Sequence, residues 1–316
     1  MAKKEEKKTS ELLQIEGVGE GTVSKLSEAG ISTLMALATC SPSDVASTAG
    51  MSEAAARKII QAARESLKLG FEKASEFSKK RDKIKKISTG CKALDVVLGG
   101  GFESGAISEI YGQFGTGKTQ LAHLLVVRAL VEDPKNKAFM LDTENTFRKE
   151  RIIDFAIANK LDPDDALNRI YVSRAYNSDH QMLLVDEIEK ILQKDPTYRI
   201  IVVDSLTSHF RSEFSGRGEL ASRQQKLNTH MHQLLRLADL YNLVVLCSNQ
   251  VMSNPGASYG DPTKPIGGHI VGHNSAFRIY FRPGKEGSTY FKLVDSPNLP
   301  NGEGNFIITK DGLEDV

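Results

Sequence analysis

Between residues 107 and 247, short apolar segments alternate with stretches that are long enough to form helices. The apolar segments are typical of buried strands, and apolar residues between them recur at helical spacing. Strands that alternate with helices in this way indicate a parallel sheet with helices on both faces. We therefore predict an α/β fold for residues 87–316, with parallel strands at 107–111, 138–142, 170–173, 200–204 and 243–247.

After Ser275 the apolar segments become shorter, and glycine and proline residues separate them. Short strands joined by turn residues favour antiparallel pairing, so these segments are predicted to extend one edge of the sheet. The predicted edge strands cover 277–281, 290–293 and 306–309.

The first 86 residues differ from the rest of the chain in composition. Residues 1–10 are mostly charged and are predicted to be a disordered tail. Residues 11–69 are rich in alanine, leucine and isoleucine at helical spacing, interrupted by glycines, which predicts a small all-α domain. Residues 70–86 are strongly charged and are predicted to form a solvated linker.

The composition excludes several classes of protein. No apolar run approaches the roughly 20 residues that a membrane span needs, and the charged N-terminus lacks the apolar stretch of a secretory signal. We therefore expect a cytoplasmic protein with no membrane partner. The three cysteines are far apart, which argues against a disulfide framework and a zinc site. Because the net charge is only +1, binding to nucleic acid requires locally concentrated charge.

The segment after the first predicted strand has the spacing G-x-x-x-x-G-K-[ST], which is typical of a phosphate-binding loop between a strand and a helix. Backbone N–H groups of such a loop surround phosphate oxygens, and the N-terminus of the helix adds its positive dipole end. We expect Lys118 to neutralise the β and γ phosphates of ATP and Thr119 to offer its hydroxyl to Mg²⁺. The predicted nucleotide-binding residues are Gly112, Gln113, Phe114, Gly115, Thr116, Gly117, Lys118, Thr119 and Gln120.

Two more strand ends carry carboxylates on the same predicted side of the sheet. Asp204 ends the strand at 200–204 and is suited to bind Mg²⁺, although an aspartate at this position can also cap a turn. Glu144 follows the strand at 138–142 and is the best candidate to deprotonate the attacking water. Asp142 is the competing candidate, and a third interpretation is that both acids are solvated loop residues.

The phosphate loop belongs to a longer series of motifs. The others are Asp142-Thr143-Glu144, Asp204-Ser205-Leu206-Thr207, Gly216-Arg217-Gly218, Arg223-Gln224-Gln225-Lys226-Leu227, Asn249-Gln250-Val251 and Gly267-Gly268-His269-Ile270. In this order they resemble the RadA family, the RecA-like recombinases of archaea, and residues 12–69 resemble the N-terminal helix-hairpin-helix domain of that family. The resemblance implies a RecA-like P-loop ATPase core preceded by a small helix-hairpin-helix domain. Two positions depart from the family pattern, since Gln113 replaces a usual glutamate and Asn145 a usual glycine.

The resemblance implies an ATP-dependent DNA recombinase that forms helical filaments on single-stranded DNA and exchanges strands with a homologous duplex. In the family, the position of Gln250 senses the γ-phosphate, so Gln250 joins Lys118 and Glu144 as a candidate catalytic residue. Residues 210–220 resemble the first DNA-binding loop and residues 252–266 the second. The implied DNA contacts are the side chains of Arg211, Arg217 and Arg223 and the backbone of Gly17 and Gly19.

The resemblance also implies contacts between copies of the chain. Phe71 and Ala74 are implied to fill a pocket on the next ATPase domain in a head-to-tail polymer. Asp295 and Pro297 resemble the segment that covers ATP from the adjacent subunit, and Arg151 is a candidate to pack on adenine. The implied cofactors are ATP and Mg²⁺, with K⁺ as a further candidate, and recombination mediators are further candidate partners.

Two alternatives remain open from the sequence alone. A hexameric RecA-fold helicase or a clock-type ATPase would share the phosphate loop but would form closed rings. A recombination mediator would bind ATP and partners without exchanging strands. Gln113 and Asn145 are compatible with a mediator, whereas the arginine-containing loop and Phe71-x-x-Ala74 favour a recombinase.

Overall fold

The structure, a computed structural model, describes residues 11–67, 70–214, 216–253 and 263–316. It has two units, which are divided between Asp82 and Lys83. The predicted linker at 70–86 falls mostly within the first unit, and Ala74–Arg81 in it form a helix rather than an irregular chain. The tail predicted at residues 1–10 lies outside the described residues.

The first unit consists of short helices, and those before Ala74 surround a small apolar core. A 3-10 helix, Glu11–Gln14, precedes α1 (Glu20–Glu28), α2 (Leu34–Thr39), α3 (Pro42–Ala49), α4 (Glu53–Ser66) and α5 (Ala74–Arg81). The side chains of Thr33, Ser41 and Ser52 cap α2, α3 and α4 by accepting backbone N–H groups, and each cap stabilises its helix by about 1 kcal/mol. The core includes Leu12, Leu26, Leu37, Val45 and Ile60. The predicted all-α domain is therefore confirmed.

The second unit is built on one large sheet. Its helices are α6 (Lys92–Val97), α7 (Lys118–Val131), α8 (Lys149–Ala158), α9 (Pro163–Arg169), α10 (Ser178–Leu192), α11 (Ser208–Glu213), α12 (Leu220–Tyr241) and α13 (Gly268–Asn274). Its strands are β1 (Lys86–Ile87), β2 (Phe102–Glu103), β3 (Ala106–Gly112), β4 (Lys137–Asp142), β5 (Ile170–Arg174), β6 (Tyr198–Asp204), β7 (Val244–Ser253), β8 (Thr263–Pro265), β9 (Phe277–Pro283), β10 (Thr289–Asp295), β11 (Glu303–Ile308) and β12 (Leu313–Asp315).

The strand order in the large sheet is β12-β11-β10-β9-β3-β7-β6-β4-β5, and β8 pairs with β7. Neighbouring strands from β9 to β5 are parallel. Strands β10, β11 and β12 extend the other side in antiparallel fashion. This arrangement confirms the predicted α/β fold with antiparallel edge strands.

Both faces of the central parallel strands are buried. On β6, Ile200 and Val202 point into a core shared with α7 and α8, whereas Ile201 and Val203 point into a second core shared with α10 and α12. Burying such a side chain stabilises the fold by about 1.5–3 kcal/mol relative to leaving it exposed. Because side chains alternate between two buried faces, the central strands are apolar throughout. Because these strands are parallel, their carboxyl ends lie together at the edge that carries the cleft described below.

The structure corrects three parts of the sequence interpretation. Strands β1, β2, β8 and β12 are missing from the prediction, because two or three residues are too few to show a period. Phe210, predicted in the first DNA-binding loop, lies in α11 and is 1% exposed, so it belongs to the core. The predicted second loop begins and ends as paired strands, since Val251–Ser253 pair with Thr263–Pro265, and residues 254–262 lie outside the described residues.

Among the described helices, none is both long and apolar enough to cross a membrane.

Candidate functional site

Strand register brings the predicted nucleotide-binding motifs to one edge of the sheet. Gly112 at the end of β3 pairs with Gln250 on β7, and Asp142 at the end of β4 pairs with Asp204 at the end of β6. Parallel strands end on the same side, so the loops that follow them face one another. Together they line a cleft of about 520 Å³. Its lining includes Gly112, Gln113, Lys118, Thr119, Glu144, Asp204, Ser205, Ser248 and Gln250.

The phosphate loop requires glycine at both of its ends. A side chain at Gly112 would collide with the carbonyl oxygen of Phe281. Gly117 has φ +84°, which favours glycine, and a side chain there would collide with Ile308. Helix α7 begins immediately afterwards at Lys118, so its free N–H groups and positive dipole end face the cleft. The loop therefore has the geometry of an anion-binding site.

Lys118 is bonded to the phosphate loop itself. Its Nζ donates to the carbonyl oxygens of Gly112 and Gln113 at 2.9 and 2.7 Å. Burial lowers the pKa of Lys118, while the negative charges of Asp204 and Glu144 oppose that shift. The ammonium group is thus held at the mouth of the loop, where phosphate oxygens can replace neutral carbonyl partners with charged ones.

Asp204 and Thr119 form an oxygen-rich corner of the cleft. The Thr119 hydroxyl donates to Asp204 Oδ2 at 2.7 Å, and Ser248 donates its hydroxyl to Oδ1. Asp204 is 4% exposed, so these bonds fix its carboxylate. Mg²⁺ prefers a carboxylate and a hydroxyl oxygen with water in the remaining positions, so Thr119 and Asp204 fit this ion.

The two acids at the end of β4 and just after it, Asp142 and Glu144, lie in different environments. Glu144 is exposed to the cleft, and its Oε1 accepts the Ser205 hydroxyl at 2.7 Å and Gln250 Nε2 at 2.8 Å. Asp142 is buried and accepts the backbone N–H groups of Glu144, Thr146 and Phe147 at 3.0–3.1 Å. Asp142 therefore shapes the turn that presents Glu144, which leaves Glu144 as the acid that can reach a water in the cleft.

The two departures from the family pattern have little effect on this geometry. Asn145 has φ +58°, in the left-handed region that asparagine tolerates better than most residues. The same backbone conformation explains why the family usually has glycine at this position. The side chain of Gln113 is exposed, whereas its backbone carbonyl makes the loop contacts to Thr116 and Lys118. An amide at position 113 therefore preserves the contacts of the loop.

His123 joins the phosphate-loop helix to the segment that carries Glu144. Its Nδ1 lies 2.7 Å from the carbonyl oxygen of Thr119, and its Nε2 accepts the backbone N–H of Arg148 at 3.1 Å. A carbonyl oxygen only accepts, so the proton resides on Nδ1 and the ring is neutral. Burial lowers the pKa of His123, in agreement with a neutral ring.

The chain matches two protein families. Residues 80–316, well over half of the chain, match the Rad51 family. The chain belongs to the Rad51 family. Residues 9–65 match the SAM-like helix-hairpin-helix tandem. Membership of the Rad51 family carries a RecA-like fold and supports roles in recombination, ATP binding and DNA binding, whereas the narrower resemblance to archaeal members stays a prediction.

Several contact residues of this Rad51-family cleft are missing from the sequence prediction. Ser205, Ser248, Thr146 and His123 all bond to predicted site residues or to the loops that hold them. Ser205 directly follows the end of β6, and Ser248 directly follows the last β7 residue that pairs with β6. Their position near the carboxyl end of β6 is the signal that could have identified them. His123 follows Thr119 by one helical turn, a weaker signal that many core histidines share.

Arg151, Asp295 and Pro297 lie outside the lining of the cleft. Arg151 bonds to Gln120 Oε1 at 2.7 Å and to the carbonyl oxygens of Thr309 and Lys310, so its guanidinium is engaged beside the phosphate-loop helix. Asp295 pairs with Arg278 at the amino-terminal side of the parallel strands. That point is about 10 Å along the strands from Gly112, and Pro297 lies further along the chain. The structure does not bring the Asp295 segment to the cleft of its own chain.

The predicted DNA-binding residues lie on surface segments. Arg211 is exposed in the last turn of α11, and Arg223 is partly exposed on α12. Arg217 begins a 3-10 turn, and its side chain lies outside the described part. In the first unit, Gly17 has φ +88°, which favours glycine, whereas Gly19 is the extended residue that directly precedes α1.

The predicted assembly residues include an exposed aromatic side chain. Phe71 is fully exposed, and Ala74 begins α5. On the second unit, edge strand β5 and helix α10 line an apolar groove of about 150 Å³, which we call the β5 groove. Tyr171 and Val172 on its rim are 45% and 40% exposed. Exposed apolar side chains on an edge strand are typical of an interaction site.

Proposed function

We propose that this chain is an ATP-dependent DNA recombinase of the RadA type, which forms helical filaments on single-stranded DNA and catalyses strand exchange in recombinational repair. The observation that carries the proposal is the 2.8 Å hydrogen bond between Gln250 and Glu144. It joins the strand that leads into the predicted second DNA-binding loop to the acid best placed for hydrolysis. DNA binding that depends on nucleotide needs such a link between the nucleotide site and the DNA-binding loop.

The proposed chemistry uses residues of the cleft in separate roles. Lys118 and the N–H groups of the loop bind the β and γ phosphates of ATP. Thr119 and Asp204 would hold Mg²⁺, whose chemistry is to neutralise charge on phosphate oxygens. The carboxylate of Glu144 accepts a proton from the attacking water, and Ser205 and Gln250 orient that carboxylate.

Gln250 is proposed to report the γ-phosphate to the DNA-binding surface. Its amide both donates and accepts hydrogen bonds, so it can exchange Glu144 for a phosphate oxygen. Its backbone carbonyl accepts the N–H of Ile266 at 3.0 Å, at the far end of the predicted second loop. A movement of Gln250 therefore reaches both ends of that loop.

DNA recognition is proposed to act through the backbone of single-stranded DNA. Arg211, Arg217 and Arg223 would contact phosphates, and the planar guanidinium suits two-point binding to phosphate. Such contacts tolerate any sequence, as strand exchange requires, because homology is tested by base pairing. Gly17 and Gly19 remain candidates for a further backbone contact from the first unit.

Assembly is proposed to place Phe71 and Ala74 of one copy in the β5 groove of the next. An aromatic anchor in an apolar pocket can dominate the affinity of an interface. Asp295 and Pro297 would cover ATP bound by a neighbouring copy, since they lie away from the cleft of their own chain. Arg151 is retained as a proposed adenine contact. K⁺ is a further proposed cofactor, which a comparison of ATP turnover in potassium and sodium salts would test. Recombination mediators are retained as proposed partners.

Electron microscopy with ATP and single-stranded DNA, combined with a D-loop assay, tests the proposal. We expect helical filaments and D-loop product from wild type, and loss of both from Phe71→Glu. Ile157→Glu changes another exposed apolar side chain and serves as the matched control. Closed rings would favour a hexameric helicase or clock-type ATPase, and filaments without product would favour a recombination mediator.

A further inference from the structure

The side chain of Asn249 lies at the centre of a buried hydrogen-bond network beside the nucleotide cleft. It is 0% exposed and immediately precedes Gln250 on β7. Its Nδ2 donates to Glu109 Oε1 and to the carbonyl oxygen of Ile266, both at 2.7 Å. Its Oδ1 accepts the Thr207 hydroxyl at 2.7 Å and the N–H of Gln250 at 2.9 Å. An asparagine amide offers two donors and two acceptor positions, so all four are used.

The four partners belong to different working parts of the second unit. Gln250 is the proposed phosphate sensor. Thr207 directly precedes α11, the helix that leads into the first DNA-binding segment. Ile266 directly follows β8, at the far end of the second DNA-binding segment. Glu109 lies on β3, three residues before the phosphate loop begins at Gly112. One amide therefore bonds to the proposed sensor residue and to residues near both proposed DNA-binding loops and the phosphate loop.

The network has a fixed charged anchor. Glu109 is 0% exposed, and its Oε2 accepts Arg278 Nε at 2.8 Å. Its other oxygen accepts the Asn249 amide, so this carboxylate sets the orientation of that amide. A fully satisfied buried network specifies one arrangement, because any displaced partner loses a hydrogen bond that water does not replace. The Asn249 amide cannot follow one partner without disturbing the others.

We propose that Asn249 is a positioning residue that makes both DNA-binding segments respond together to the nucleotide. The proposal rests on the recombinase function proposed above and adds the first segment to the link through Gln250. When the Gln250 side chain exchanges Glu144 for a phosphate oxygen, its backbone N–H moves the Asn249 amide. Thr207 and Ile266 then shift with that amide because both are bonded to it, so the two DNA-binding loops change conformation together.

Asn249→Asp tests the proposal with little change in shape. The aspartate keeps the oxygen that accepts Gln250 N–H and the Thr207 hydroxyl. It replaces the donor by an oxygen that faces the Glu109 carboxylate and the Ile266 carbonyl, so both of those bonds are lost. Affinity for a fluorescein-labelled single-stranded oligonucleotide is measured with Mg²⁺ and a hydrolysis-resistant ATP analogue, and again without nucleotide. The quantity compared is the ratio of the two affinities.

We expect this ratio to fall by about tenfold or more in Asn249→Asp, a typical size for coupling between two sites. Affinity for a fluorescent ATP analogue should stay close to that of wild type. An unchanged ratio would overturn the proposal. Equal loss of DNA affinity with and without nucleotide would also overturn it, because a purely structural role predicts that result.

Thr207→Val isolates the link to the first DNA-binding segment and serves if Asn249→Asp does not fold. Valine keeps the shape of threonine and removes only the hydroxyl that donates to Asn249. We expect a smaller fall in the same ratio, and a wild-type ratio would overturn the link to the first segment. Thr229→Val, whose hydroxyl bonds only within α12, is the matched control. If wild type itself shows no nucleotide-dependent DNA binding, the proposed function fails rather than the role of Asn249.

Discussion

The nucleotide cleft and the segments proposed to bind DNA differ in how they use their charged side chains. In the cleft, Lys118, Asp204 and Glu144 each make hydrogen bonds within the chain. In the segments proposed to bind DNA, the guanidinium groups of Arg211 and Arg223 make no hydrogen bond or ion pair among the described residues. The cleft is therefore preorganised for chemistry, whereas the arginines keep their charge available for a partner.

This difference predicts which measured quantity, ATP turnover or DNA affinity, a substitution in each region changes. Preorganised groups act on the transition state without being rearranged, so their loss lowers turnover. Exposed arginines act by exchanging salt ions for phosphates, so their loss lowers affinity in a way that depends on salt. The predictions below test this division, from the largest expected effect to the smallest.

Lys118→Ala is expected to abolish nucleotide-dependent DNA binding and to lower ATP turnover by at least about 100-fold, because the cleft loses its charge for the phosphates. Turnover and strand exchange are measured together. Lys135→Ala removes an exposed lysine and is the control. Intact strand exchange by Lys118→Ala would refute the assignment of the cleft.

Glu144→Gln is expected to lower turnover by about 10²–10⁴-fold while filaments on single-stranded DNA persist, because the amide keeps the shape of the acid but cannot accept a proton. Turnover and electron microscopy are compared with wild type. Asp142→Asn should instead lower the unfolding temperature, since its carboxylate accepts three backbone N–H groups. Wild-type turnover by Glu144→Gln would show that another group is the base.

The double variant Arg211→Ala/Arg223→Ala is expected to bind single-stranded DNA more weakly and with less dependence on salt. Each lost phosphate contact reduces the log–log salt slope by about 0.7 for single strands, so the expected reduction is about 1.4. DNA titrations at several salt concentrations give the slope. Lys135→Ala/Lys194→Ala removes the same charge from exposed sites elsewhere. An equal slope in both variants would remove the arginines from the DNA-binding surface.

His230→Gln, on the buried side of α12, is expected to weaken the dependence of the fold's stability on acid pH. Burial lowers the pKa of His230 to about 3, from an ordinary value near 6.5. Between these values the unfolded chain binds the extra proton, so stability falls as pH decreases through that window, by at most about 1.4 kcal/mol per pH unit. Chemical denaturation at pH 7, 6 and 5 should show a shallower decline in the variant. A parallel decline would show that other groups dominate.

The sequence predicted the regular part of the molecule well, and the reasons are local. The central strands and the phosphate loop were identified because apolar periods and the G-x-x-x-x-G-K-[ST] spacing are properties of consecutive residues. The same reasoning placed Asp204 and Glu144 on one side of the sheet, since the ends of parallel strands share an edge. Residue roles that follow from strand ends were therefore accessible.

Contacts between distant segments were not accessible. The amide of Asn249 reaches Glu109, 140 positions away in sequence, and nothing in the pattern around either residue indicates that pairing. The choice between Asp142 and Glu144 as the catalytic base also required the structure, because only the structure shows that the Asp142 carboxylate accepts three backbone N–H groups. Phe210 was assigned to a loop through the family resemblance, although its own side chain is buried in the core.

The position of Asp295 and Pro297, away from the cleft of their own chain, has an arithmetic consequence for the proposed assembly. If each cleft is completed by the next copy, an open row of n chains holds n − 1 complete sites, and the chain at one end has an uncovered cleft. Two chains together would then work at about half the rate per chain of a long row. The rate of ATP hydrolysis per chain should therefore rise with the length of the row and level off, so short rows would hydrolyse ATP more slowly per chain than long ones.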